Sequence, residues 1–157
     1  EEMKAAPFDV ITSRAFASLL DFVQLTRMHL KPGGVFVLDS YGGYESFSVT
    51  KEERDLDGFT YIWDTEKYNP VNGDVLNHIH FRFPDGTEIR KAFTYDWRLW
   101  TLAEIQEALE DAGFVRPAVD WEGTVKKTGE GNGIYRKKTV GEACAGWIAY
   151  LSAEKPR

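Results

Sequence analysis

The chain has 157 residues with 19 Lys+Arg against 25 Asp+Glu, a formal net charge of −6, and this balance argues against a general nucleic-acid or anionic-membrane surface, since both need clustered positive charge. Hydrophobic residues at 43% and aromatics at 14% supply a core and exclude a disordered chain, and the length predicts one domain. No apolar run approaches the roughly 20 residues that cross a bilayer. The lone cysteine, Cys144, excludes an internal disulfide, so a cytoplasmic protein without membrane partners is expected. The chain opens Glu1-Glu2-Met3, as processing or an upstream start would leave it.

Phe8-Asp9-Val10-Ile11-Thr12 predicts a largely buried strand. Phe16, Leu19, Leu20, Val23 and Leu30 then recur at intervals of three, four or seven, the stripe of a helix that Lys31-Pro32-Gly33-Gly34 stops. Val35 to Leu38 is a continuous apolar run ending at Asp39, as in a strand covered on both faces. Strand, helix, strand at this spacing predicts a parallel βαβ unit.

Residues 58–96 change character. Phe59, Tyr61 and Trp63 alternate with Thr60, Ile62 and Asp64, the period of a half-buried strand, and two further runs flank the turn Pro84-Asp85-Gly86. Closing that turn with Phe83 opposite Thr87 predicts Phe81 opposite Ile89, Asn77 opposite Phe93, Arg82 opposite Glu88 and His80 opposite Arg90. Thr101 to Glu104 fits a capping box with Trp100 and Ile105 as a staple, Gly113 as the stop and Leu102, Ile105 and Leu109 as the buried stripe. Phe114 to Trp121 reads as a strand, 123–143 as a polar connection and Trp147 to Leu151 as a final buried strand.

Gly129 to Gly133 lacks the strand before it and the helix after it that a phosphate-binding loop needs, and reads as a flexible turn. His78 and His80 share a strand face without a further ligand set, so no metal is expected, and Cys144 has no neighbouring base. Tyr61, Trp63, Tyr95, Trp97 and Trp100 gather at the ends of the inserted sheet, with Arg98 between two indoles; core burial and pocket lining both account for such a set. Thr12, Ser13, Arg14 and Asp39 end parallel strands, where ligands of open α/β sheets collect.

Phe8 to Ile11, the amphipathic helix, and Leu30-Lys31-Pro32-Gly33-Gly34-Val35-Phe36-Val37-Leu38-Asp39 together resemble the fourth strand, following helix and fifth strand of class I S-adenosylmethionine-dependent methyltransferases. Leu102 to Phe114 resembles the helix before that fold's sixth strand, and Trp147 to Leu151 its antiparallel seventh. The resemblance implies an α/β fold: a partial Rossmann-like sheet of parallel strands plus an antiparallel last strand, with residues 58–96 inserted as an antiparallel cap. It implies S-adenosylmethionine as cofactor, with Ser13, Arg14 and Ala15 on the cofactor side and Asp39, Tyr41, Gly42, Tyr61, Trp63 and Arg98 around a small-molecule acceptor. No general base is implied. The family's glycine-rich loop precedes its fourth strand, so this chain resembles the family's C-terminal half, and residues 8–12 would offer an open strand edge to a second copy. A non-catalytic ligand-binding or interaction domain is the alternative, and an unrelated α+β fold a third.

Overall fold

The computed structural model describes residues 7–13 and 19–157. In chain order its elements are β1 (Phe8–Ser13), α1 (Leu19–His29), β2 (Leu30–Gly42), a 3-10 turn (Tyr44–Phe47), β3 (Lys51–Leu56), β4 (Phe59–Tyr68), β5 (Asp74–Arg82), β6 (Glu88–Arg98), α2 (Leu102–Asp111), β7 (Val115–Thr124), β8 (Gly131–Lys137) and β9 (Trp147–Glu154). They form two units, one from the residues up to Gly42 together with Trp100–Arg157, the other Gly43–Leu99.

The first unit is a mixed sheet in the order β1-β2-β9-β7-β8. β1 and β2 are parallel, as a βαβ connection requires, and β9 runs antiparallel to both β2 and β7. One face carries both helices and the core. Phe36 and Leu151 are fully buried there with Val23, Leu109 and Phe114, and Phe36 lies 5.9 Å from both Phe22 and Phe114. The C-terminal end of α1 is tied down by Lys155, whose Nζ donates to the carbonyls of Arg27 at 2.8 Å and Leu30 at 2.7 Å, satisfying oxygens that a helix end leaves open.

The opposite face is half bare. Val10, Val35, Val37, Asp39, Tyr41, Ile148 and Tyr150 project to it by strand alternation, and Val10 is 55% and Ile148 51% exposed. The expected burial of β1 and double cover of β2 are therefore corrected. Among the described residues β1 is an edge strand paired with β2 alone, and the described helices meet β2 on its Phe36 and Leu38 side. In α1 the buried positions are Leu19, Val23 and Thr26; Leu20 points away, and Leu30 already belongs to β2. Phe16 lies outside the described residues.

α2 has the expected reciprocal cap: Glu104 N–H donates to Thr101 Oγ1 at 3.2 Å while Thr101 N–H donates to the Glu104 carboxylate at 2.8 Å. Gly113 adopts φ 83°, the left-handed exit that only glycine enters without cost. Its buried stripe is Ile105, Ala108 and Leu109, with Leu102 half-buried. The region expected as a polar connection contains β8, paired antiparallel with β7. Gly131 begins that strand, and Gly133 N–H donates to Glu122 Oε1 at 2.7 Å, so the glycine-rich stretch serves a β-hairpin.

The second unit is a four-stranded antiparallel sheet in sequence order, β3-β4-β5-β6. The turn closes as expected, with Phe83 N–H donating to the Thr87 carbonyl at 2.9 Å and Phe81 opposite Ile89 and Arg82 opposite Glu88. Beyond that the register shifts by two: Ile79 faces Phe93 and Asn77 faces Tyr95. The cause is Lys91, held at φ 49°, whose N–H donates not to a strand carbonyl but to His80 Nδ1 at 3.0 Å. This bulge removes the expected pairing of His80 with Arg90.

Candidate functional site

Seven rings share one face of the second unit's sheet. Strand alternation puts Phe59, Tyr61 and Trp63 of β4, Phe81 of β5, and Phe93, Tyr95 and Trp97 of β6 on the same side. Phe81 meets Phe59 and Phe93 edge-on at 5.5 and 6.5 Å, Trp63 stacks on Tyr95 at 6.2 Å, and Tyr95 lies 4.3 Å from Trp97. These are the offset and edge geometries that ring quadrupoles favour. Beside them Thr65 Oγ1 donates to Asn77 Oδ1 at 2.9 Å, and both residues are buried. Phe93 remains 52% exposed, so ring surface is offered to solvent. Burial, then the neighbouring Tyr95, pushes the Tyr61 hydroxyl above its usual pKa.

The other face is polar and saturated. His78 Nε2 meets Glu66 Oε2 at 2.8 Å and its Nδ1 meets Thr94 Oγ1 at 2.9 Å. Because His80 Nδ1 accepts from Lys91 N–H, its proton sits on Nε2, which donates to Asp64 Oδ2 at 3.2 Å. Arg82 grips Glu53 through two hydrogen bonds at 2.9 and 3.0 Å. The hydrogen bonds from Lys91 and then His78 hold Glu66 below the usual glutamate pKa of 4.5, and Arg82 does the same for Glu53.

A carboxyl group whose pKa is depressed on folding stabilises fully above the unfolded value and loses that contribution as pH falls through the folded one. Thermal unfolding is accordingly expected to shift to lower temperature as pH is taken from 6 to 3. Glu66→Gln, which keeps an acceptor without a titrating group, is expected to flatten that dependence. An unchanged profile in the variant would show that Glu66 is not a source of it.

Of the remaining candidate residues, Asp39, Tyr41, Gly42 and Ser13 lie on the first unit and Arg98 on the second. Asp39 and Tyr41 stand on the half-bare face in register with Tyr150 and Ile148. Gly42 turns to the other face, where the Trp147 indole fills its side-chain space: a Cβ there would lie 2.3 Å from Trp147 Cζ2. Ser13 ends β1 in register with Leu38, and Arg14 and Ala15 lie outside the described residues. Arg98, in register with Asp74, projects to the face opposite Trp97. The sequence alternation thus places these rings on shared strand faces, and its aromatic set names Tyr61, Trp63, Tyr95 and Trp97 while leaving out Phe59, Phe81 and Phe93, whose alternation carries the same signal. Cys144 Sγ donates to the Gly146 carbonyl at 3.3 Å.

No family model matches the chain. Among solved structures, an S-adenosylmethionine-dependent methyltransferase from Clostridium acetobutylicum superposes over 100% of this chain and 62% of its own, with a TM-score of 0.64 and 16% identity. The CcbJ methyltransferase of Streptomyces caelestis superposes over 100% of this chain and 64% of its own, with a TM-score of 0.65 and 14% identity. The chain has the fold of S-adenosylmethionine-dependent methyltransferases. This methyltransferase fold accounts for both sheets, the mixed one with its antiparallel β9 and the antiparallel one. Its described helices are too short and polar to cross a membrane.

Curated relatives carry the name ribosomal RNA small subunit methyltransferase G. The protein from Methylibium petroleiphilum is 60% identical over 37 residues, 24% of this chain and 17% of its own length. That from Bordetella avium is 37% identical over 77 residues, 49% of this chain and 31% of its own. The chain thus spans less than a third of these relatives and under two thirds of the solved ones. By name these relatives act on RNA, which overturns the expectation, drawn from charge, of a small-molecule partner with nucleic acid excluded. The physical reason is that −6 is a sum over the whole chain, and association is governed by local charge.

Among the described residues no glycine lies between a buried strand and a following α-helix; Gly43 leads only into the four-residue 3-10 turn Tyr44–Phe47. Gly33 and Gly34 fall within β2, and Gly131 and Gly133 within β8. The described residues alone therefore do not fit the whole cofactor.

Proposed function

We propose that this chain is the C-terminal part of the catalytic domain of an S-adenosylmethionine-dependent methyltransferase, a partial Rossmann-like sheet carrying an acceptor-binding antiparallel cap. The observation that carries this reading is the one-sided cover of the mixed sheet. Both described helices pack on the Phe36 face while apolar Val10, Ile148 and Tyr150 stay exposed on the other, whereas βαβ crossovers in doubly wound α/β sheets place helices on both faces.

In this reading Ser13, Arg14 and Ala15 follow the strand that borders the cofactor, and Asp39 and Tyr41 end the next. Tyr61, Trp63 and their neighbouring rings hold a flat acceptor by stacking, while Arg98, on the opposite face of that sheet, stands apart from it. Methyl transfer is an in-line displacement in which positioning supplies much of the acceleration, and a stiff ring surface positions well. Tyr61 keeps its hydroxyl proton and orients an acceptor oxygen or nitrogen by donating to it.

The test is calorimetric titration with S-adenosylhomocysteine of two proteins: this chain, and this chain extended through the coding sequence upstream of Glu1. The extended protein is expected to bind at micromolar strength, about −8 kcal/mol, and this chain at least a hundredfold more weakly. Failure of the extended protein to bind would refute the reading.

A further inference from the structure

The strongest unassigned feature of the surface is a basic hairpin. Between Thr124 and Val140 the sequence holds five cations, Lys126, Lys127, Arg136, Lys137 and Lys138, against one carboxylate, Glu130, in a chain whose net charge is −6. The rest of the molecule is therefore more acidic than the total, and positive charge is concentrated at one place. That place is the β7–β8 hairpin, in which β8 forms the edge of the five-stranded sheet. All five cations are exposed, and none makes an ion pair among the described residues, unlike Arg82, Lys91 and Arg116, each held by a carboxylate.

A recess of about 820 Å³ adjoins this arm, lined by Lys137, Lys138 and Thr139 on one side and by Trp121, Gln106 and Val119 on the other. The half-buried Trp121 offers ring surface, and Gln106, whose Nε2 donates to the Leu102 carbonyl at 3.1 Å, offers its amide oxygen. Cations beside a recess containing an indole and an amide match a polymer that carries a phosphate and a flat base in each unit. A lipid headgroup would use the cations and leave the recess unexplained. In a duplex the bases are stacked away, whereas an unpaired strand presents them to protein rings.

We propose that the β7–β8 hairpin and its recess bind single-stranded RNA, with Lys126, Lys127, Arg136, Lys137 and Lys138 on the phosphates and a base beside Trp121. This goes beyond methyl transfer and does not rest on it, because binding is measured without cofactor.

The test is fluorescence anisotropy of a labelled 20-nucleotide oligouridine with the full chain, titrated over a range of KCl. Five phosphate contacts on a single strand predict a slope of log K against log salt of about −3.5. Lys137→Gln with Lys138→Gln is expected to reduce the steepness by about 1.4, two contacts' worth, and Lys126→Gln with Lys127→Gln by a similar amount. A control of equal charge change, Arg54→Gln with Lys67→Gln on the other unit, is expected to leave the slope as it is. Near-UV circular dichroism matching the parent chain shows that each exposed substitution leaves the fold in place.

Absence of RNA binding at low salt would overturn the proposal, as would equal loss of slope in the control. Binding to vesicles containing anionic lipid that the oligonucleotide fails to displace would also overturn it, assigning the arm to a membrane surface.

Discussion

Replacing Phe36 by Ala is expected to destabilise the chain by about 3–5 kcal/mol, the usual range for deleting a buried ring. Phe36 is fully buried at the centre of the helix-covered face, between Phe22 on α1 and Phe114 at the start of β7, each 5.9 Å away. The space it leaves is bounded by elements tied independently to the sheet, so collapse around the void is restricted and the cavity cost persists. At the 2–4 °C per kcal/mol that suits a chain of this size, the melting temperature should fall by roughly 6 to 20 °C. Denaturant titration gives the same quantity directly. A loss below about 1 kcal/mol would mean that Phe36 is not packed as described.

Gly42→Ala is the second large effect, and its cause is the reverse: overfilling. The added methyl would meet three Trp147 ring atoms at 2.3, 2.7 and 2.9 Å. An indole is rigid, and Trp147 is itself packed on Trp121 at 5.4 Å, so the clash is relieved only by shifting β9 or rotating the ring out. Overpacking of this kind costs about 1–3 kcal/mol, and tryptophan emission should move to longer wavelength as the indole is displaced. Pairing the substitution with Trp147→Leu separates the causes. If the clash is the source, the double variant is more stable than the sum of the single effects requires.

Much of the fold was legible because its signals are local and strong. The strand-helix-strand unit from Phe8 to Asp39, the cap at Thr101 and Glu104, and the turn at Pro84 to Gly86 each follow from residues whose backbone preferences leave little choice. β8 was not legible, because Gly131-Asn132-Gly133-Ile134-Tyr135-Arg136-Lys137 is an exposed edge with no buried face to impose alternation. The register beyond His80 was hidden for a different reason. It depends on Lys91 taking a left-handed conformation that its residue type does not announce, stabilised by a ring acceptor eleven residues away in sequence. Exposure of β1 depends on what lies beside it, which its own six residues do not encode.

The ring face was readable at Tyr61 and Trp63, since aromatics at a period of two must share a side. Gly42 was readable as a residue at a strand end but not as the slot for Trp147, because that requires pairing residues more than a hundred positions apart. The basic arm was visible in composition and cancelled by the acidic total.

The position of β9 also orders events during synthesis. It follows every other described strand in sequence, yet it lies between β2 and β7 in the sheet. As the chain leaves the ribosome, β1 and β2 can pair early, and the contiguous stretch from Gly43 to Leu99 has every one of its strands available while the rest is still being translated. The five-stranded sheet must wait: until Glu154 has emerged, β2 and β7 each present a bare edge to solvent or to one another. Emergence of β9 is thus the event that closes this sheet, and a polypeptide stalled before Trp147 would carry two unsatisfied strands available to chaperones or to aggregation.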